Sequence, residues 1–391
     1  MFARRTEWKL KPNRYSSALQ AAQSAGSKLI DLTVSNPTRC GFYFDASATL
    51  GSLSSPQSLD YDPQPQGLLS ARHVIAEYYN QKSRLARKRI SPDQVWLTTS
   101  TSEAYSYLFR LLCDPGDQVL VPRPSYPLFD FLADIQDVQL HPYDLFYDHG
   151  WHLDLGGVAK SISERTRAVL VVNPNNPTGS FVHAPELQQL AALCSHHQLA
   201  LISDEVFLDY ELEALAETSA AFLGECLSFA LSGLSKICCL PQMKLAWIVA
   251  NGPENLLIDA RERLEIIADT YLSVNAPIQH ALPVLLREKD GIQAQIAERI
   301  RSNLELLGEG FKNAPHIDRL KIEGGWYAVL RVPARQSDED LAIQLIESAG
   351  VVVHPGHFYD FPQDGYLVLS LIPPIEDFRE GIARVLQNLA K

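Results

Sequence analysis

Residues 167–206 of this chain read RAVLVVNPNNPTGSFVHAPELQQLAALCSHHQLALISDEV. Two apolar runs, RAVLVVN and LALISDE, flank the segment APELQQLAALCSHH, whose apolar residues recur with the period of a helix. Continuous apolar runs of this kind are typical of strands that are covered on both faces. The stretch therefore predicts a strand, a helix and a second strand, the repeating unit of a parallel α/β sheet.

The same alternation continues on both sides of this stretch. Seven strands are predicted between residues 95 and 250, with the sequences VWLTT, DQVLVP, VQLHPY, RAVLVVN, LALISDE, LSFALS and LAWIVAN. We therefore expect an α/β fold whose large domain, residues 46–275, has a mostly parallel seven-stranded sheet flanked by helices.

The remaining sequence predicts a second, smaller unit. Residues 276–391 contain the strand-like segments GGWYAVLRVPA and GYLVLSLIPP, separated by helical patterns. They are expected to form a small α+β domain that the N-terminal segment 1–45 joins. A long amphipathic region around 253–313 would connect the two domains.

Composition narrows the class of protein. A chain of 391 residues exceeds the size at which a single core stops growing, which fits two domains. Its net charge of −12 disfavours a general affinity for nucleic acid or anionic membranes. The N-terminus has no secretory pattern, no run is apolar enough to span a membrane, and the six cysteines lack metal-ligand spacing. We expect a cytoplasmic protein with reduced thiols and no metal site, nucleic-acid partner or membrane partner.

Polar residues follow three of the predicted strands. The loop NPNNPTG comes at the end of the strand at 169–173, Asp204 stands at the tip of the next strand, and Lys236 lies just beyond the strand at 227–232. Because ligands of doubly wound sheets bind outside the carboxyl ends of the strands, these residues are expected to meet at one crevice. Each alone also fits a structural role, as a turn, a cap or a solvated lysine.

The three segments NPNNPTG, SDEVF and LSK, in this order, resemble signatures of fold type I pyridoxal-phosphate enzymes, and specifically of the class I and II aminotransferases. Similar segments elsewhere are YDPQPQGLLSAR at 61–72, LTTSTSEA at 97–104, PRPSYP at 122–127 and HPGHFY at 354–359. The resemblance covers nearly the whole chain and implies the aspartate aminotransferase-like fold with pyridoxal 5'-phosphate as cofactor.

The resemblance also implies roles for four residues around the cofactor ring. Lys236 would form a Schiff base with the cofactor and move the proton of the substrate's Cα. Asp204 would pair with the pyridine nitrogen and keep the ring protonated. Asn176 would donate to the phenolic oxygen, and Tyr126, which could also be a core residue, would stack on the ring.

The cofactor phosphate is expected at the N-terminus of the helix that follows VWLTT, predicted to begin near Glu103. The phosphate ligands implied by the resemblance are Ser100, Thr101, Ser102, Ser235 and Lys244. Tyr61 would reach in from the second subunit, so a homodimer with shared active sites is expected.

Four positions depart from the family's pattern. Phe207 stands where a tyrosine commonly bonds the phenolic oxygen, and Tyr210 is a candidate replacement. Lys244 replaces an arginine at the phosphate, which costs the two-pronged grip of a guanidinium, and Gly233 replaces a serine. Val368, in DGYLVLSL, stands where the family has the arginine that binds the substrate's α-carboxylate.

The valine leaves two alternatives for substrate binding. Either another cation binds the carboxylate, with Arg39 and Arg331 as candidates, or the substrate presents no α-carboxylate there. Ser35 and Asn36 stand where a family loop lines the substrate pocket. The candidate substrate residues are therefore Ser35, Asn36, Arg39 and Val368.

The expected function is an aminotransferase that moves an amino group between an amino acid, or a related amine, and a 2-oxo acid. The alternative is a pyridoxal-phosphate lyase or decarboxylase on the same fold, which the valine at 368 motivates. A cofactor-binding regulator is disfavoured, because such proteins usually carry an N-terminal DNA-binding domain and the fold pattern here begins almost at once.

Overall fold

The computed structural model describes residues 1–8, 11–83, 89–126, 129–213, 219–312 and 314–389. The strands are β1 Ile30–Asp31, β2 Val95–Thr98, β3 Gln118–Arg123, β4 Gln139–Tyr147, β5 Trp151–Leu153, β6 Thr166–Val172, β7 Ala200–Asp204, β8 Ser228–Gly233, β9 Ala246–Asn251, β10 Asp318–Arg319, β11 Tyr327–Arg331, β12 Val351–Val352, β13 His354–Pro355 and β14 Tyr366–Ser370. The α-helices are α1 Arg14–Ser24, α2 Ala46–Gly51, α3 Leu69–Lys82, α4 Thr101–Leu112, α5 Phe129–Asp134, α6 Leu155–Ser161, α7 Ala184–His196, α8 Leu234–Ile237, α9 Glu254–Tyr271, α10 Ala276–Phe311, α11 Asp338–Gln344 and α12 Ile375–Leu389.

The large sheet confirms the predicted α/β fold class. Its strands lie in the order β2-β9-β8-β7-β6-β3-β4-β5, parallel at the centre, with β9 and β5 antiparallel to their neighbours. All seven predicted strands are present. The eighth, β5, was not predicted, because a three-residue strand that pairs with the end of β4 is too short to show a periodic pattern.

Strand β6 shows why the central runs are continuously apolar. Ala168, Leu170 and Val172 belong to a hydrophobic cluster with residues of α4 and α9, whereas Val169 and Val171 pack with residues of α7. Successive side chains of a strand point to opposite faces, so helices cover this sheet on both sides. Full burial of each valine or leucine side chain stabilises the fold by about 1.5–3 kcal/mol.

A smaller unit follows, as predicted. Strands β10, β11, β14 and β13 form a four-stranded antiparallel sheet in that order. The N-terminal strand β1 pairs in parallel with β12, with Ile30 opposite Val351. The N-terminal segment therefore joins the C-terminal part of the chain, as the sequence indicated.

The long amphipathic region is two helices rather than one. Leu272, with a φ of +65°, ends α9, and the side chain of Asn275 accepts the backbone N–H of Ile278 to begin α10. No helix of the described ranges is long and apolar enough to cross a membrane.

Candidate active site

The carboxyl ends of three neighbouring strands bring the predicted site residues together. In the parallel strands β6, β7 and β8, Val172 lies opposite Asp204, and Asp204 lies opposite Leu231. The loop after β6, the tip of β7 and helix α8 after β8 therefore share one edge of the sheet. A cavity of about 220 Å³ lies there, lined by Ser35, Thr101, Tyr126, Phe129, Val172, Asn176, Asp204, Val206, Phe207, Ser235, Lys236 and Tyr327.

Lys236 lies on the short helix α8, directly after β8, and its amine lies beside two aromatic rings that contact each other. Its Nζ lies 4.9 Å from the ring centroid of Trp326 and 5.2 Å from that of Phe207. Burial lowers the pKa of this amine, and the nearby Cys239 and Asp204 oppose the shift. A lowered pKa increases the fraction of neutral amine at neutral pH, and the neutral amine is the nucleophilic form.

Asp204 is a buried carboxylate held by two donors. The hydroxyl of Tyr105 donates to its Oδ2 over 2.8 Å, and the backbone N–H of Val206 donates to its Oδ1 over 3.2 Å. Burial raises the pKa of Asp204, whereas Tyr105, Val206 and Lys236 act in the opposite direction. The donors therefore favour the ionised form in a place where burial disfavours it.

The loop NPNNPTG is both a turn and a part of the cavity wall. Asn175 donates to the carbonyl oxygen of Pro124 and to the hydroxyl of Thr178, which fixes the loop. Gly179 has a φ of +68°, and a Cβ there would lie 2.5 Å from the carbonyl oxygen of Gly324. Asn176 lines the cavity, and among the described residues its buried Oδ1 has no hydrogen-bond partner.

Only some of the residues predicted to bind a phosphate are among the described residues that line the cavity. Thr101 and Ser235 line the cavity. Helix α4 begins at Thr101, two residues before the predicted start, and the hydroxyl of Ser100 accepts the N–H of Glu103 as its cap. Ser102 and Lys244 are exposed and are not among the residues that line the cavity.

The remaining candidates lie outside the cavity lining, apart from Ser35. Tyr61 is 81% exposed and lies in a separate surface depression with Asp60 and His280. Asn36 and Arg39 are exposed, and the side chain of Asn36 accepts the N–H of Thr38. Val368 is only 1% exposed, within the small sheet.

Two replacements suggested by the sequence are engaged elsewhere. The hydroxyl of Tyr210 donates to the carbonyl oxygen of Lys236 over 2.7 Å, so it does not take over from the missing tyrosine at Phe207. Arg331 is exposed and forms an ion pair with Asp318 at 2.7 Å. Pro127, at the end of the PRPSYP segment, lies outside the described residues.

Several residues at or beside the cavity were not found from the sequence. Phe129 and Val206 line it near the predicted residues, and Tyr327 reaches it from the small sheet. Tyr105 lies on the buried face of α4, and Trp326 lies beside Lys236. Their sequence contexts are those of ordinary core positions, so no signal distinguished them.

The fold and this site define the class of protein. Residues 43–372 match the family described as aminotransferase class I and II, and the chain belongs to that family; it is an aminotransferase.

Relatives with assigned names extend over most of the chain. The alanine aminotransferase of Mycobacterium tuberculosis is 28% identical, over 93% of this chain and 86% of its own length. The glutamate-pyruvate aminotransferase of Haemophilus influenzae is 25% identical, over 94% of this chain and 92% of its own length. The structure of an alanine aminotransferase from Pyrococcus furiosus has the same fold, with a TM-score of 0.90, 23% identity and full coverage of both chains. The lyase or decarboxylase alternative is not favoured by these matches.

Glu205, the neighbour of Asp204, provides a test of the electrostatics of this strand end. Its carboxylate accepts the hydroxyl of Ser219 and the N–H of Ala220, each over 2.7 Å. Burial raises the pKa of Glu205 from 4.5 to about 7. The folded protein therefore holds this proton more tightly than the unfolded chain does, and stability falls as the pH rises from 4.5 to about 7.

Glu205→Gln is expected to remove this pH dependence. The free energy of unfolding of the variant minus that of the wild type should be larger at pH 8 than at pH 5. The expected increase is up to about 3 kcal/mol. Urea unfolding of both proteins at the two pH values measures the difference. A difference between the two proteins that is the same at both pH values would contradict the assignment.

Proposed function

We propose that the cavity binds pyridoxal 5'-phosphate, covalently attached at Lys236, and that the enzyme moves an amino group between an amino acid, or a related amine, and a 2-oxo acid. One observation carries the proposal. An amine whose pKa is lowered by burial and a buried carboxylate lie at neighbouring strand ends of one cavity, beside Asn176.

The residues of the cavity suit this cofactor chemically. Asp204 would offer a negative charge to a protonated ring nitrogen, and the buried Oδ1 of Asn176, which has no partner among the described residues, is left for a ligand. Tyr126 lines the cavity and is 39% exposed, which leaves ring surface for stacking. When bound, pyridoxal phosphate supplies an electron sink for the carbanion at the substrate's Cα.

The chain's own groups would hold charge and move the proton. Lys236, when it is not attached to the cofactor, would be the base that removes the proton from the substrate's Cα and then gives the proton back within the same half-reaction. The hydrogen bonds from Tyr105 and Val206 favour the ionised form of Asp204 against its burial, and a carboxylate in this place would let the ring nitrogen keep its proton. The rings of Trp326 and Phe207 beside Nζ limit access of water to the amine.

The phosphate would lie at the N-terminus of α4. Thr101 and Ser235 line this end of the cavity, and the N-terminal N–H groups of α4 favour an anion. We propose that Ser100, Ser102 and Lys244 also serve the phosphate, with Lys244 acting as a point charge rather than a fork.

We further propose a homodimer with shared sites, into which Tyr61 reaches from the partner. Large exposed apolar side chains support such an interface, among them Leu59, Tyr61, Ile266 and Leu272. The domain boundaries 1–45, 46–275 and 276–391 are part of the proposal. So is a cytoplasmic location, which the six free thiols favour.

The reaction is tested with the purified holoenzyme and candidate donors, without an acceptor. Transamination should convert the cofactor to its amine form in proportion to the carbonyl product, and a 2-oxo acid should then restore the original absorbance. Release of ammonia or carbon dioxide in place of this reversible conversion would contradict the proposal and favour the lyase or decarboxylase.

Tyr105→Phe tests how Asp204 is held. Loss of the hydroxyl donor raises the pKa of Asp204 further, so the acid limb of the kcat/KM profile should move to higher pH, with activity near neutral pH about tenfold lower. The matched control is Tyr107→Phe, on the same helix, whose ring packs against Tyr271. A Tyr105→Phe profile that coincides with that of the control would contradict the positioning role.

A further inference from the structure

The described lining of the cavity is poor in positive charge. Among the described residues that line the cavity, Lys236 is the only cationic side chain, and its amine is needed for the reaction. The ion-paired Arg331 and the exposed Arg39 do not line the cavity.

The position of the missing arginine faces the same side as the cavity. In the small sheet, Tyr327 pairs with Ser370 and Val329 pairs with Val368, so the side chain at 368 projects from the face that carries Tyr327. Val368 places an apolar group there. His354, which pairs with Val368, has a pKa lowered by burial, and its Nδ1 lies 3.0 Å from the hydroxyl of Tyr359. A largely neutral histidine does not replace a guanidinium.

Neutral hydroxyl groups stand in that part of the cavity instead. Tyr327 and Ser35 both line it, and their side chains are neighbours. Burial raises the pKa of Tyr327, which keeps its hydroxyl protonated. The apolar part of the cavity lining includes Phe129, Val206 and Phe207, and the ring centroid of Phe207 lies 6.1 Å from that of Tyr327. Such a wall can bind an uncharged polar group beside a small apolar body.

A carboxylate in this place would lose its hydration without gaining an ionic partner. Burial of an unpaired charge is far more costly than burial of a hydroxyl or amide that finds a hydrogen bond. The same wall therefore discriminates against α-amino acids and in favour of analogues in which a neutral group replaces the carboxylate.

We infer that the amino donors of this enzyme are primary amines without a carboxylate, namely small amino alcohols and amino amides, in preference to α-amino acids; the inference rests on the proposed function. Over the complete reaction, the donor loses its amino group and the hydrogen on the same carbon and becomes a carbonyl compound with oxygen from water. The acceptor's carbonyl oxygen leaves as water, and its carbon gains the nitrogen and the hydrogen. Because the acceptor binds in the same cavity, the same preference applies to it, and a 2-oxo acid should accept the amino group more slowly than a carbonyl compound without a carboxylate.

The first experiment compares L-alaninol, L-alaninamide and L-alanine as donors to the wild-type holoenzyme, from the rate of cofactor conversion and the carbonyl product. The specificity constant for L-alaninol should exceed that for L-alanine by at least about tenfold. A higher constant for L-alanine overturns the inference and leaves aminotransfer intact. If no donor converts the bound cofactor, the proposed function fails together with the inference.

Binding without reaction provides a second readout. Propionamide should bind the holoenzyme more tightly than propionate, measured by calorimetry, and tighter binding of propionate would overturn the inference. Tyr327→Phe should lower the specificity constant for L-alaninol by about tenfold while that for isopropylamine, which has no hydroxyl, changes little. Equal losses for both amines would count against a binding role for the hydroxyl.

Two further variants separate the alternatives. Val368→Arg should reverse the order of L-alaninol and L-alanine, because it adds a guanidinium to the face that carries Tyr327. Arg39→Ala should leave that order unchanged. A selective loss of L-alanine conversion in Arg39→Ala would show that Arg39 binds a carboxylate and would overturn the inference.

Discussion

Lys236→Ala is expected to lower the rate of amino transfer by at least about 10³-fold, because the variant lacks both the attachment point for the cofactor and the base that moves the Cα proton. No other lysine lines the cavity among the described residues, so none can take over. Steady-state assays with the best donor, at saturating added cofactor, measure the loss.

The control for this variant is Lys160→Ala, an exposed lysine at the end of α6. It should have wild-type activity. If Lys236→Ala kept more than a tenth of the wild-type rate while folded and loaded with cofactor, Lys236 would not be the reacting amine.

Asp204→Asn should lower kcat by about 10²–10³-fold, the loss typical when a preorganised charge is removed from a buried site. The amide is close in shape to the carboxylate but cannot offer a negative charge to a protonated ring nitrogen. The variant should also bind the cofactor more weakly, which equilibrium dialysis measures independently of turnover.

Glu205→Gln is the matched control for Asp204→Asn, because it removes the charge of the adjacent buried carboxylate. Glu205 is hydrogen-bonded to Ser219 and Ala220 and is not among the described residues that line the cavity. It should keep its activity. Equal losses in the two variants would show that the strand end needs both charges for its fold and would remove the specific role of Asp204.

The central sheet could be predicted because its signal is local. A strand such as β6 is buried on both faces, so its sequence is continuously apolar, and polar residues begin where the strand ends. In the same way Asn176, Asp204 and Lys236 could be placed in one crevice, since parallel neighbouring strands end at the same edge.

The rest of the site depends on contacts between distant parts of the chain. Tyr105 meets Asp204 from a buried helix face 99 positions away, and Tyr327 enters the cavity from the small sheet. The break between α9 and α10 lies within the stretch treated as one amphipathic region, although Asn275 as N-cap and the proline in the first turn of α10 mark a helix start there. The valine at 368, in place of the family's arginine, was visible in the sequence. The lack of other cationic side chains in the described cavity lining depends on the folded structure.

The attachment of the cofactor at Lys236 is tested most directly by chemical trapping. The purified holoenzyme is reduced with borohydride and digested, and its peptides are examined by mass spectrometry. The expected result is the pyridoxyl-phosphate mass on Lys236 and on no other lysine. Cofactor fixed to Lys244 or another lysine, with Lys236 unmodified, would contradict the assignment of the active site.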